Sequence, residues 1–147
     1  MRTPKGRPDV EMLAEVGAVA QLAAARLERT LPDGLSAAAF ETLNHLAAQS
    51  APSAPLALAR ALGVSKPAMT NTLQRLEAAG WAAVTPDPDD GRRKRVTLTP
   101  AGAAARQAAL VDVRPHLEAL RAAFEAWEFE AALPFLRRLR AWLAGQS

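Results

Sequence analysis

Residues 55–81 read PLALARALGVSKPAMTNTLQRLEAAGW, and two short helical patterns meet in them at a glycine. Pro55 suits the first turn of a helix, where its missing N–H would have no partner anyway, and LALARAL (56–62) continues at helical spacing until Gly63 stops it. Ser65 then offers a side-chain oxygen to the free N–H groups of a second helix, with Pro67 again in the first turn. This second helix runs to about Ala79, and Gly80 closes it. Two helices about three residues apart with a glycine between them have helix-turn-helix spacing.

Projected at about 100° per residue, the second helix places Met69, Thr72, Leu73 and Leu76 on one face. Pro67, Thr70, Asn71 and Gln74 fall on the other, with Lys66 and Arg75 at its flanks. The first face is a core face; the second is short, polar and nearly free of acids. Such a surface suits a DNA major groove: Asn and Gln pair with the adenine edge, Thr contacts the thymine methyl, and Lys or Arg reaches guanine or phosphate. Every amphipathic helix has a polar solvent face, however, so this helix alone does not decide the matter.

The residues beyond Gly80 add a second signal. WAAVT (81–85) and RVTLT (95–99) alternate as strands do and are joined by a loop of Pro, Asp and Gly, which predicts a β-hairpin longer than the minimal kind. The segment DPDDGRRKRVTLT (87–99) concentrates charge of both signs: acids to shape the turn, Gly91 to let it bend, and Arg92, Arg93, Lys94 and Arg95 at its tip. Val96 and Leu98 are expected to face the core and Thr97 to face out. A charge run is ordinarily a solvated turn. Here it sits on a hairpin directly after a helix-turn-helix, the arrangement of a winged helix.

Composition narrows the chemistry. Residues 58–99 carry seven basic side chains against four acids, and the rest of the chain is balanced, so the net charge of +3 lies in this one segment. A local basic patch is the electrostatic form of a polyanion binder. With no Cys and no Tyr, and only His45 and His116, there is no thiolate zinc site, no disulfide and little for a metal centre. Asp87, Asp89 and Asp90 lack a distant bidentate Glu and adjoin four cations, which argues against a metal loop. His45 reads as a half-buried, hydrogen-bonded residue and His116 as a surface or interface residue. No enzyme, no cofactor and no metal is expected.

The flanks are helical. From Asp9 to about Leu31 the chain is alanine-rich, with Val10, Leu13, Gly17, Ala20 and Leu27 at helical spacing, and LPDG (31–34) ends it. Ser36 looks like the cap of a helix to about Gln49 with Phe40, Leu43 and Leu46–Ala47 inward, ended by SAPSAP (50–55). After Pro100 the pattern is helical again, with a kink or break expected at Pro115 and a final helix after Trp127–Phe129. That helix carries Phe135, Leu136, Leu139, Trp142 and Leu143, a wide apolar stripe with little left in its own chain to bury against. The N-terminal MRTPKGRPDVEM has no apolar stretch behind its basic residues, and no run approaches the roughly 20 residues of a membrane span, so a cytoplasmic protein with no membrane association is expected.

The segment LARALGVSKPAMTNTLQRLEAAGW (58–81) resembles the helix-turn-helix of the MarR family of bacterial winged-helix regulators. The wing is similar as well: the family pattern of Asp, any residue, Arg, five residues and Leu-Thr falls on Asp90, Arg92, Leu98 and Thr99, and PAG (100–102) resembles the helix start that follows it. The family often carries a further basic residue where this chain has Thr85–Pro86, and SAPSAP stands where a short strand usually precedes the third helix.

The resemblance implies one domain over 1–147, mainly α with a small antiparallel hairpin. It divides into a DNA-binding lobe over 36–99 and dimerisation helices over 9–31 and 101–147. It further implies a homodimer, packed through Val10, Leu13 and Gly17 of the first helix and Phe135, Leu139, Trp142 and Leu143 of the last. Two recognition helices would enter successive major grooves of a pseudo-palindromic operator, most simply as a repressor, and a small-molecule effector of unidentified nature could shift their separation. The DNA-contacting set is then Ser65, Lys66, Pro67, Thr70, Asn71, Gln74, Arg75, Arg92, Arg93, Lys94 and Arg95, with Asp90 and Arg92 bracing the wing. The competing reading is a winged helix that binds a protein instead. It would call for exposed aromatic or aliphatic residues where the helix offers Pro, Thr, Asn and Gln.

Overall fold

A computed structural model describes residues 6–146. The sequence reading of residues 1–5 lies outside that range. Six helices and two strands follow one another as α1 (Pro8–Thr30), α2 (Ala37–Ala48), α3 (Pro55–Leu62), α4 (Lys66–Ala78), β1 (Ala82–Pro86), β2 (Lys94–Leu98), α5 (Pro100–Ala123) and α6 (Ala126–Ala144). No helix among the described residues is long and apolar enough to cross a membrane.

Local chemistry starts and stops these elements. Ser36 caps α2 by accepting from the Ala39 N–H at 3.1 Å, and Ser65 caps α4 by accepting from Ala68 at 3.2 Å. Gly63 ends α3 at φ 66°, a left-handed conformation that costs a side-chain-bearing residue about 1–2 kcal/mol. The reversal between α3 and α4 therefore fits into Gly63, Val64 and Ser65.

The core is built where these elements cross. Phe40, Leu43 and Leu46 of α2 meet Leu58 and Ala59 of α3, Met69, Leu73 and Leu76 of α4, Ala82 and Val96 of the hairpin, and Ala109 and Val113 of α5. Each fully buried large side chain contributes on the order of 2 kcal/mol. Thr42 is the one buried polar residue in this set; its hydroxyl donates to the Ala38 carbonyl at 2.7 Å and leaves its methyl to the core. Ala47, expected to face inward, is exposed. It lies about 100° around the helix from Leu46, at the edge of the buried stripe.

β1 and β2 pair antiparallel from Ala82↔Leu98 to Pro86↔Lys94. Val96 is fully buried while Thr97 and Leu98 are half-buried. A third strand is reduced to one residue: Ser53 donates to the Val96 carbonyl at 3.0 Å and accepts from its N–H at 2.7 Å.

Thr99 ties the hairpin to the helices on either side. Its N–H donates to the Trp81 carbonyl at 3.2 Å, its hydroxyl donates to the Gly80 carbonyl at 2.6 Å, and the same oxygen accepts from the Gly102 N–H at the start of α5. The fit is close, since a Cβ on Gly102 would collide with the Trp81 carbonyl and the Leu98 side chain.

Two expectations about the C-terminal half are corrected. α5 continues through Pro115 as one 24-residue helix. The proline removes only the N–H that the Val111 carbonyl would have accepted from, and because both residues are exposed, water can serve that carbonyl. The final helix begins at Ala126, not after Phe129, because the Glu128 carboxylate turns back to accept from the Glu125 N–H at 2.9 Å and fixes the first turn. Across the lobe, Arg106 of α5 donates to the Asn44 side chain of α2 at 2.7 Å, and Glu28 of α1 accepts from the Ala37 N–H at 2.7 Å.

Candidate nucleic-acid interface

α4 buries Met69, Leu73 and Leu76 and leaves Lys66, Pro67, Thr70, Asn71, Gln74 and Arg75 exposed, as its periodicity requires. Thr72 falls between the two faces and is half-buried. Beside this helix the hairpin curls so that its tip stands next to the helix N-terminus, enclosing a groove of about 820 Å³. Lys66, Thr70 and Gln74 line one wall, Arg92, Arg93 and Lys94 the other, and Pro55, Leu56 and Arg60 of α3 close the end. Glu77 is the acid in the groove wall, and its carboxylate accepts from the Val84 N–H of the open strand edge at 3.3 Å.

Hydrogen bonds and ion pairs hold the tip. Asp90 accepts from the Arg92 N–H at 3.1 Å and from the Arg92 Nε at 3.3 Å, with the Arg93 Nε at 3.9 Å from its other oxygen. Asp87 accepts from the Asp89 N–H at 2.8 Å, and its own N–H donates to the Arg93 carbonyl at 2.9 Å. That backbone bond from Asp89, and then the Arg95 guanidinium, hold the Asp87 carboxyl below the usual carboxylate range. The Arg92 side chain nevertheless stays 93% exposed, free at its end to meet another anion.

Two predicted cations are not brought into the groove. Arg95 points away from it and pairs with Asp87 at 3.4 Å and Asp89 at 3.9 Å. Arg75 lies on the far flank of α4 and lines a separate cavity of about 310 Å³ with Glu28 and Trp81. Pro67 and Asn71 are exposed on the outward surface of α4 without lining the groove. Ser65 is engaged as the helix cap. Arg60 was absent from the predicted set, though its place on the exposed side of the LARAL helix could have suggested it.

The histidines stand apart from this surface. His45 is half-buried with Gln49 at 3.5 Å, as read from the sequence. His116 is half-buried on α5, and its Nδ1 has no hydrogen-bond partner among the described residues.

The residues expected to form the dimer surface are solvent-facing or nearly so in the single chain. Neither α1 nor α6 has a buried residue. Val10, Leu13, Phe135, Trp142 and Leu143 are all exposed, as is Gly17, and Leu139 is half-covered.

A capped helix-turn-helix followed by a cation-tipped hairpin, between long helices, defines a winged helix-turn-helix protein. The MarR family model matches residues 33–93, which is nearly the whole of that lobe. Solved structures agree over most of the chain. The transcriptional regulator BldR from Sulfolobus solfataricus superposes with a TM-score of 0.80 at 21% identity, covering 92% of this chain and 99% of its own. A mutant MarR from E. coli, solved in complex with operator DNA, gives 0.75 at 27% identity over 93% and 99%. BpsR from Bordetella bronchiseptica, whose DNA binding is regulated by 6-hydroxynicotinic acid, gives 0.68 at 27% over 85% and 98%. No curated protein sequence matches the chain. The family model and the fold together identify it as a MarR-type winged-helix transcriptional regulator.

Proposed function

We propose that the protein is a sequence-specific double-stranded DNA-binding regulator, acting as a homodimeric repressor in the cytoplasm on a pseudo-palindromic operator and answering to a small-molecule effector. The observation that carries this is the groove between α4 and the wing. Five basic side chains, Arg60, Lys66, Arg92, Arg93 and Lys94, line it around an uncharged polar helix face. Cations on two walls bind the phosphate backbone irrespective of sequence, while Thr70, Asn71 and Gln74 sit where base edges would lie. Asp90 acts as the brace that presents Arg92. Arg95, paired with two acids, contributes to the shape of the wing, and Arg75 reaches at most a flanking phosphate.

The homodimer is supported by the helices outside the lobe. Amphipathic helices of 23 and 19 residues with no buried side chain gain little from folding alone, and a second copy offers each a complementary surface. Two lobes related by a two-fold axis would read half-sites about one helical turn apart. Operator binding by MarR from E. coli and the small-molecule control of BpsR support the same reading here. Nothing in the groove resembles a reaction centre: it holds no histidine, and its one acid covers a strand edge. The protein is read as a binder of DNA, not an enzyme.

The test is selection of duplexes from a random-sequence pool, followed by titration of the selected duplex and a scrambled one at several salt concentrations. An enriched, two-fold symmetric site with a steep loss of affinity as salt rises is the expected result. Equal affinity for selected and scrambled duplex would reduce the protein to a non-specific binder, and absence of binding would overturn the proposal.

A further inference from the structure

We infer that Thr70 reads DNA through its methyl group, so that each half-site contains a thymine whose 5-methyl packs against it. The inference rests on the proposed DNA-binding reading of α4 and deepens it. Thr70 is exposed on the outward surface of α4 and lines the groove. Its hydroxyl, however, is already committed, donating to the Lys66 carbonyl one turn back at 3.0 Å. With its only proton so used, the hydroxyl cannot donate to the acceptor atoms that guanine, adenine and thymine present in the major groove. What it can still offer outward is its methyl.

The chain contains an internal control for this chemistry. Thr42 makes the same bond, to Ala38 at 2.7 Å, and is 1% exposed in the hydrophobic core. A threonine bonded back to its own helix thus behaves there as an apolar residue. Pro67, one turn before Thr70 on the same surface, is exposed and has no N–H to give. The two form a small apolar spot on an otherwise polar surface, flanked by Asn71 and Gln74. Thymine is the base that offers a methyl in the major groove.

The experiment uses the full-length protein and the duplex selected from the random pool, with each thymine replaced in turn by deoxyuridine, which removes the methyl alone. One symmetry-related pair of thymines is expected to weaken binding about fourfold per half-site, the size of one buried methyl group. Thr70→Val, which keeps the methyl and loses the hydroxyl, should retain this discrimination. Thr70→Ser, which keeps the hydroxyl and loses the methyl, should bind thymine and uracil duplexes equally. Discrimination that persists in Thr70→Ser, or a selected duplex with no sensitive thymine, would overturn the inference while leaving DNA binding intact. A pool with no enriched site would instead remove the DNA-binding reading, and this inference with it.

Discussion

The winged lobe and the helices that flank it handle apolar surface in opposite ways. In the lobe, Leu43, Leu58 and Val96 are completely buried, drawn from three elements far apart in sequence, and local caps close the helices around them. In α1 and α6 no residue is buried, although Leu22, Trp127 and Trp142 are 72%, 66% and 63% exposed. The difference separates two sources of stability. The lobe has its core within one chain, whereas the flanks carry an apolar surface whose burial must come from outside it. Position follows the same division: the lobe sets each recognition helix against its wing, and only a partner can set the distance between two such lobes.

The largest expected effect comes from breaking the flanks. Trp142→Glu together with Leu143→Glu places two charges on the α6 stripe without touching the lobe core. Sedimentation should show a monomer, and affinity for a two-half-site duplex should fall at least about a hundredfold, because joint engagement of two half-sites is lost. Affinity for a single half-site should hardly change. A variant that remains a dimer would place the contact elsewhere and remove the contrast between lobe and flanks.

Next comes the seam between the regions. Gly102→Ala puts a Cβ against the Trp81 carbonyl, so the start of α5 has to retreat from the hairpin. Overpacking of this kind costs about 3 kcal/mol at its upper end. Alanine's preference for helix returns about 1 kcal/mol. The net of about 2 kcal/mol corresponds to a fall in Tm of about 6 °C, measured by circular dichroism. An unchanged Tm would mean that α5 can shift freely against the lobe.

The same contrast explains what could be read from the sequence. The turn from α3 to α4 was legible because its signals are local: Gly63 for the reversal, Ser65 for the cap, Pro55 and Pro67 for the first turns. The outward face of α4 followed from periodicity alone. The hairpin was placed one residue off at each strand, since its register is closed by Pro86↔Lys94 and no residue type announces that pair. Ser53 gave no strand signal because a single bridged residue has no alternation to show. The four cations 92–95 looked equivalent in sequence, yet three face the groove and Arg95 does not. Its direction depends on Asp87, eight residues earlier and across the hairpin, a long-range fact that composition does not carry. Pro115 misled for the opposite reason, since a strong local rule gave way where the freed carbonyl lies at an exposed surface.

A smaller effect sharpens the lobe side. Arg92→Ala with Lys94→Ala removes two groove cations that the core does not need. Affinity should fall about tenfold on specific and random duplex alike, and the slope of log affinity against log salt should flatten by roughly 2, one for each lost phosphate contact. Thermal stability should stay within about 0.5 kcal/mol of the parent, as for exposed substitutions generally. A loss confined to the selected duplex would make these residues readers of sequence and not of phosphate.

The smallest effect concerns how the wing keeps its shape. Asp87 is held below its ordinary pKa by the Asp89 N–H first and by Arg95 after it, so its stabilising bonds are at full strength above the unfolded carboxylate range, near 3.8. They are lost as the pH falls through the depressed folded value. Acidification should therefore loosen the wing before it unfolds the lobe, whose core contains no carboxylate. Hydrogen exchange at about pH 3–4, corrected for intrinsic rates, should show faster opening at the Asp87 and Arg93 amides while those of α2 and α4 hold. Asp87→Asn keeps an oxygen for the Asp89 N–H but cannot pair with Arg95, so it should show the faster wing exchange already at neutral pH and lose most of the acid dependence. If wing and core amides instead open together in both cases, the hairpin is part of the same cooperative unit as the helices, and its ion pairs only decorate a shape that Val96 and Thr99 already impose.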